Sequence, residues 1–184
     1  IAPAASKWEK AGNPAPLLFT KDALQDSTDV FPIELLDIRD CRKVLLGDDV
    51  VADIEVRTEN LRLEIERELR GKLIQLRQRY IASGGKPKVV VQLMTQSLST
   101  FLVLFRAALR LFEEHVPVQK TLALEKLGKH INFEPAAFKT VQLLKEGKLK
   151  AKQVEARELF AQYLSAIEQA INAVDEFIHK GEES

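Results

Sequence analysis

The sequence predicts a mainly α-helical protein: an up-and-down bundle of about five helices, preceded by a short α/β segment with one or two strands. Three observations lead to this fold class. Residues 89–112 are apolar on nearly every side, which is typical of a helix at the centre of a bundle. The segments on both sides of it show amphipathic helical periodicity, and strand-forming runs occur only within the first 55 residues.

The central stretch, VVVQLMTQSLSTFLVLFRAALRLF, is long enough to span a membrane as well as to fill a core. In lipid each of its polar side chains would need a partner, and the charges of Arg106 and Arg110 would be especially costly. We therefore predict a buried core helix and no membrane-spanning segment. A helix that is apolar all round must be covered by other helices.

Four further helices are predicted around this one. The segment 58–82, which Thr58 can cap, carries an apolar face that consists of Ile65, Leu69, Leu73, Leu76 and Tyr80. It should end at the sequence Ser-Gly-Gly that follows, because glycine adopts the left-handed conformation that closes helices. The remaining helices are predicted at 118–130, 134–147 and 151–180 from their apolar periodicity.

The first 55 residues show a different pattern. Residues 1–16 carry three prolines and should be irregular, 17–19 should form a short strand, and Thr20 should cap one or two helical turns. The run VFPIELLDI at 30–38 is rich in strand formers and predicts a strand, on which Glu34 and Asp37 would lie on opposite faces. KVLLGDD then predicts an extended piece that turns at its glycine. We place the domain boundary near residue 56, between segments 1–55 and 56–184.

Composition narrows the classes of function. The formal net charge is zero, so the chain has no overall attraction to nucleic acid, and any phosphate binding must come from a local cluster. The single cysteine, Cys41, excludes an internal disulfide and fits a reducing compartment. No secretory signal pattern is seen, so we expect a cytoplasmic protein. The chain begins at Ile1 and not at a methionine, which suggests that residues precede it.

Two arginines on the first long helix are candidates for ligand binding. Arg70 and Arg77 are seven residues apart, so they project in nearly the same direction beside the apolar face. Two such guanidinium groups can bind a phosphate or a carboxylate. The alternative is that they pair with Glu66 and with acids on neighbouring helices.

The three histidines, His115, His130 and His179, all lie near predicted helix ends, where a histidine also favours the helix dipole. Arg110 and His115 have the Arg-x4-His spacing found in a family of helical ribonucleases. In a chain with so many arginines that spacing arises easily by chance.

Two strings carry a family resemblance. DVFPIELLDIRDCRKVLLGDD at 29–49 and ENLRLEIERELRGKLIQLRQRYI at 59–81 resemble the later part of bacterial proteins with a nucleotidyltransferase domain of the DNA polymerase beta superfamily. The resemblance implies that residues 1–55 are the C-terminal remnant of that α/β domain. It implies that the bundle at 56–184 is a substrate-binding domain.

The same resemblance implies roles for individual residues. In that superfamily a Gly-Ser turn, an Asp-x-Asp pair and a third carboxylate hold two magnesium ions for nucleotidyl transfer. Glu34 corresponds best to the third carboxylate and metal ligand, with Asp37 as the second candidate. Arg70 and Arg77 would contact the triphosphate or the substrate. The implied partners are Mg²⁺, a nucleoside triphosphate and an acceptor that the sequence does not identify.

The chain departs from the family pattern because it lacks the Gly-Ser turn and the Asp-x-Asp pair. We therefore predict that it cannot catalyse nucleotidyl transfer alone. Three explanations are open: the N-terminal catalytic half is missing from this chain, a partner chain or a second copy supplies it, or the chain is a degenerate relative. Two alternatives remain open. One is a non-catalytic helical module that binds a protein, and the other is a helical ribonuclease that uses Arg110 and His115.

Overall fold

The computed structural model of the protein describes residues 2–177, which divide into two compact units after Val56. The first unit contains helices α1 (Ala2–Lys10), α2 (Lys21–Asp26) and α3 (Pro32–Cys41). The second contains α4 (Thr58–Ala82), α5 (Pro87–Leu109), α6 (Lys120–His130), α7 (Ala136–Lys145) and α8 (Ala156–Asp175). A 3₁₀ turn at Ala151–Gln153 precedes α8. The prediction of a mainly helical protein is confirmed.

The first unit is held together by a small apolar cluster. Leu24, Leu35 and Ile54 are buried, and Val51 and Val56 pack against them. This cluster joins α2 and α3 to the segment that follows them, although it is far smaller than the core of a stable domain. The first unit therefore has little apolar burial of its own.

The predicted strand at 30–38 is wrong, because the structure has helix α3 there. Proline is favoured in the first turn of a helix, and Pro32 takes that place in α3. A helix also satisfies its own backbone hydrogen bonds, whereas a strand needs a partner. No strand is assigned anywhere in residues 2–177, so the strand segment of the predicted fold is not found.

Two other expectations for the first unit are corrected. Residues 2–10 form helix α1 instead of an irregular segment, and residues 17–19 belong to no helix or strand and make no backbone hydrogen bond within the described residues. Two local predictions hold. Thr20 Oγ1 accepts a hydrogen bond from the Ala23 backbone N–H at 3.1 Å and caps α2, and Gly47 turns the chain with φ of +77°.

The second unit is a five-helix bundle organised around α5, which packs against α4, α6, α7 and α8. α4 and α8 also pack on each other, as do α7 and α8. By length and composition α5 would suffice to cross a membrane, and 44% of its most apolar 18-residue window is buried inside the bundle. α5 thus has the central position that its composition predicts.

Aromatic rings fill the middle of the bundle. Phe138 of α7 is fully buried, with its ring centroid 4.3 Å from that of Tyr163 and 4.9 Å from that of Phe105. Phe101 lies edge-on to Tyr163 at 6.0 Å. Because each of these rings buries a large apolar area, they contribute much of the stability of the bundle.

The predicted bounds agree with the structure for α4 and agree less well for the last helix, α8. α4 ends at Ala82, and the two glycines that follow have positive φ, as the sequence predicts. The last helix is predicted to extend from 151 to 180, whereas α8 covers Ala156–Asp175. The predicted end of this helix beyond 177, with His179, lies outside the described residues.

Candidate functional site

Glu34 and Asp37, the two carboxylates singled out by the family resemblance, lie on helix α3. Residues three apart in a helix face nearly the same side, so the two are neighbours and not on opposite faces as a strand would require. Glu34 is exposed and Asp37 is half-buried. The structure therefore brings the two predicted acids to one side of a single short helix.

These two acids do not form a metal site by themselves. Within residues 2–177, no group of three or more His, Cys, Asp or Glu side chains is arranged to hold a metal ion. Nucleotidyl transfer with two metals needs several carboxylates at one point. The described residues therefore do not form a complete magnesium site, and a metal ion at Glu34 would need further carboxylates from outside them.

Arg70 and Arg77 lie on α4 where it packs along α8. Arg70 Nε donates to Glu66 Oε1 at 2.7 Å, and Arg70 Nη2 lies 3.6 Å from Asp175 Oδ2 of α8. Arg77 pairs with Glu168 of α8. Both arginines thus have carboxylate partners, which is the arrangement that the alternative interpretation predicts. A phosphate would have to displace these acids.

Glu66 is the centre of a row of charged side chains along α4 and α8, which we call the α4–α8 seam. The seam consists of Arg62, Glu66, Arg70, Arg77, Glu168 and Asp175. The side chain of Glu66 is only 18% exposed, and its Oε2 accepts a hydrogen bond at 2.8 Å from Arg62 Nη1, whose side chain is 8% exposed. Burial acts to raise the pKa of Glu66, but the hydrogen bonds and charges of Arg70 and Arg62 together hold it below its ordinary value. The seam therefore carries an ionised carboxylate between two guanidinium groups.

A cleft of about 350 Å³ opens where α5, α6 and α8 end, and we call it the amide cleft. It is lined by three aromatic rings, three side-chain amides, an acid and two apolar residues: Phe112, His130, Phe177, Asn132, Gln169, Asn172, Glu176, Ile131 and Ala173. Apolar walls with a few polar groups are typical of small-molecule sites.

The aromatic wall of the amide cleft is ordered by ring contacts. The Phe112 ring stacks on His130 with centroids 5.4 Å apart and planes 16° apart, and Phe177 lies edge-on to Phe112 at 5.2 Å. Among residues 2–177 the side chains of Asn132 and Asn172 make no hydrogen bond with protein groups. Two amides are therefore available to a ligand at this wall.

An ion-pair cluster fixes the position of His130. Its Nε2 lies 2.9 Å from Glu113 Oε1, and Lys126 Nζ donates to Glu113 Oε2 at 2.6 Å. The hydrogen bonds from Lys126 and then His130 lower the pKa of Glu113 below its ordinary value. Glu113 is therefore an ionised acceptor that orients the ring on which Phe112 stacks.

Sequence reasoning did not find the amide cleft. Its amides come from the loop after α6 and from α8, and they are separated by some forty positions in the sequence. Isolated Asn and Gln residues carry no spacing signal of the kind that identifies metal ligands or phosphate loops. Only the proximity of His130 to a helix end was visible in advance.

The ribonuclease candidates are not presented on one helix face. Arg110 follows directly after the end of α5, and His115 is exposed in the connection to α6. Residues 110–115 are not helical, so no helix holds these two side chains in a fixed spatial relation. The geometry therefore gives no particular support to a site built from these two residues.

Comparison of the chain with protein-family models, with curated proteins and with solved structures finds no significant match.

Proposed function

We propose that this chain is the C-terminal portion of a nucleotidyltransferase, in which the first unit completes a catalytic α/β domain and the bundle binds the acceptor or the nucleotide. One observation carries the proposal. The apolar residues at 17–19 and 44–46, the second group within the string with the family resemblance, lie outside the helices and make no backbone hydrogen bond within residues 2–177.

The exposure of these segments is unusual for a folded unit. Leu17 is 77% exposed, Leu45 is 85% exposed and Leu46 is 95% exposed. An apolar segment whose backbone N–H and C=O groups have no partner within the described residues can add as a strand to an existing sheet. These segments would lose their exposure by pairing with the sheet of a catalytic half, and that half would supply the carboxylates that the described residues lack.

The amide cleft supports the role of the bundle. Its side-chain amides both donate and accept hydrogen bonds, and Glu176 adds an acceptor. Such a wall suits an acceptor with hydroxyl or amino groups, while Phe112 and Phe177 cover its apolar parts. In this arrangement the nucleotidyl group is transferred to a molecule that the bundle holds.

Amide hydrogen exchange tests the proposal. The complete reading frame that contains this chain, expressed from its own initiation codon, is compared with residues 1–184 alone. We expect the amides of 43–46 to exchange slowly in the complete protein and rapidly in the isolated chain, because only the former supplies a strand partner. Equally rapid exchange in both proteins would overturn the proposal.

Two variants sharpen this comparison. Leu45→Asp should destabilise the complete protein, whereas Leu122→Asp on α6, where the leucine is 42% exposed, should have little effect. Glu34→Gln should abolish Mg²⁺-dependent AMP transfer by the complete protein without loss of folding. Full activity of that variant, or AMP transfer by residues 1–184 alone, would contradict the assigned roles and favour a different class of protein.

A further inference from the structure

The amide cleft lies at the C-terminal ends of three helices. Phe112 follows the end of α5 by three residues, His130 is the last residue of α6, and Glu176 is the C-cap of α8. The backbone carbonyl groups at a helix C-terminus carry a partial negative charge, which acts over about the last turn of the helix. The backbone alone therefore gives the cleft a negative potential.

One carboxylate of the cleft has no counter-charge. Glu176 is exposed, and within residues 2–177 its side chain makes no ion pair or hydrogen bond. Gln169, Asn172 and Glu176 are three and then four residues apart, so they share the face of α8 that lines the cleft. Of the described residues that line it, none is a lysine or an arginine. With histidine neutral, Glu176 gives the lining side chains a net negative charge, which a cationic ligand would compensate.

The aromatic wall of the cleft determines which kind of cation fits. The planes of the Phe112 and Phe177 rings meet at 81°, with their centroids 5.2 Å apart. Two rings at right angles form two sides of a cage for a cation, because the face of an aromatic ring carries negative charge. A primary ammonium group would leave N–H donors without acceptors against these rings, whereas a quaternary ammonium group has no N–H to satisfy. The rings therefore favour a quaternary ammonium group.

We propose that the amide cleft binds a small molecule that carries a quaternary ammonium group and a hydroxyl group. The ammonium group lies against Phe112 and Phe177, with the carboxylate of Glu176 as its counter-charge. The amides of Asn132 and Asn172 bond the hydroxyl group. The cleft, at about 350 Å³, has room for such a molecule. This inference rests on the proposed function for the role of the molecule as acceptor, and it deepens that function by naming the class of acceptor.

Isothermal titration calorimetry on residues 1–184 tests the inference. Three ligands are titrated separately at low salt: choline, ethanolamine, and the neutral isostere of choline in which a tert-butyl group replaces the trimethylammonium group. We expect choline to bind most tightly and the neutral isostere to bind roughly tenfold more weakly, because the isostere lacks the charge that the rings attract. Absence of choline binding, or equal affinity for the neutral isostere, would overturn the inference. Tighter binding of ethanolamine would also overturn it, because a primary ammonium group would then be preferred.

Matched variants locate the site. Glu176→Gln should weaken choline binding roughly threefold at low salt, whereas Glu158→Gln, an equal change of charge in the first turn of α8, should leave the affinity unchanged. Phe112→Leu should weaken it roughly fivefold, whereas Phe19→Leu, at a site 46% exposed in the first unit, should have no effect. Equal weakening by a cleft variant and its control, or unchanged affinity in both cleft variants, would refute the assignment. Because Glu176 is exposed, its variant keeps the fold and gives a result even where Phe112→Leu is unstable.

The binding experiment is independent of the exchange experiment, because it needs no catalytic half. Choline binding together with equally rapid amide exchange in both proteins would reject the proposed function and retain the cation site. Slow exchange in the complete protein without choline binding would reject the cation site and retain the proposed function.

Discussion

Substitution of Glu66 gives the most direct test of the electrostatics of the bundle. Glu66→Gln keeps the shape of the side chain and removes the charge that lies between Arg62 and Arg70. Arg62 is 8% exposed, and its other carboxylate contact, to Asp175 Oδ1, is a distant 3.9 Å. The variant therefore leaves a largely buried guanidinium without a close counter-charge. Weakening a charged hydrogen bond of this kind costs about 2 kcal/mol, which corresponds to roughly 4–8 °C in Tm for a protein of this size.

Urea unfolding followed by far-ultraviolet circular dichroism measures this loss, with Glu68→Gln as the matched control. Glu68 is on the same helix, is 36% exposed and lies 3.6 Å from Lys72, so its loss should cost less than about 0.5 kcal/mol. Equal stability of the two variants at neutral pH would refute the role given to Glu66.

The pH dependence adds an independent check. The pKa of Glu66 is lower in the folded protein than in the unfolded chain, so its contribution to stability is complete above the unfolded value. That contribution is lost as the pH falls through the folded pKa. The difference in unfolding free energy between the wild type and Glu66→Gln should therefore shrink below about pH 4.5. A difference that stays constant down to pH 2 would contradict this electrostatic account.

Other predictions concern the aromatic core. Phe138→Ala should cost about 3–5 kcal/mol, because the ring is fully buried, whereas Leu143→Ala, at a site 42% exposed, should cost under about 0.5 kcal/mol; similar urea midpoints would contradict this. Tyr163→Phe should cost about 1 kcal/mol, because the buried hydroxyl lies 3.2 Å from Ser97 Oγ. In a double-mutant cycle with Ser97→Ala the two losses should be less than additive, and full additivity would show that the bond contributes nothing.

The sequence predicts the bundle well because its helices carry their own signals. α4 occupies 58–82, as its apolar face and the glycines after it predict, and α5 is displaced by only a few residues from the predicted 89–112. The first unit is predicted poorly. VFPIELLDI is a short apolar run of the kind that fits a strand or a helix equally, and the presence or absence of a sheet partner decides between them. Periodicity contains no information about such a partner.

The contacts of the candidate site residues also could not be predicted from periodicity alone. The spacing of Arg70 and Arg77 gives their common direction, but the partner of Arg77 is 91 positions away and becomes visible only when α8 packs on α4. Asn132 and Asn172 of the amide cleft are also far apart in the sequence, and neither belongs to a spaced motif.

The pairing of α4 with α8 has a consequence for the order in which the bundle forms. α4 and α5 are adjacent in the chain, so their contact closes a short loop, whereas the stacking of Tyr80 on Phe160, at 4.2 Å, closes a much longer one. Contacts of high sequence separation tend to form late in folding. Substitutions along the α4–α8 seam should therefore accelerate unfolding more than they slow refolding, and the lifetime of the native bundle should be set by how long α8 stays in place.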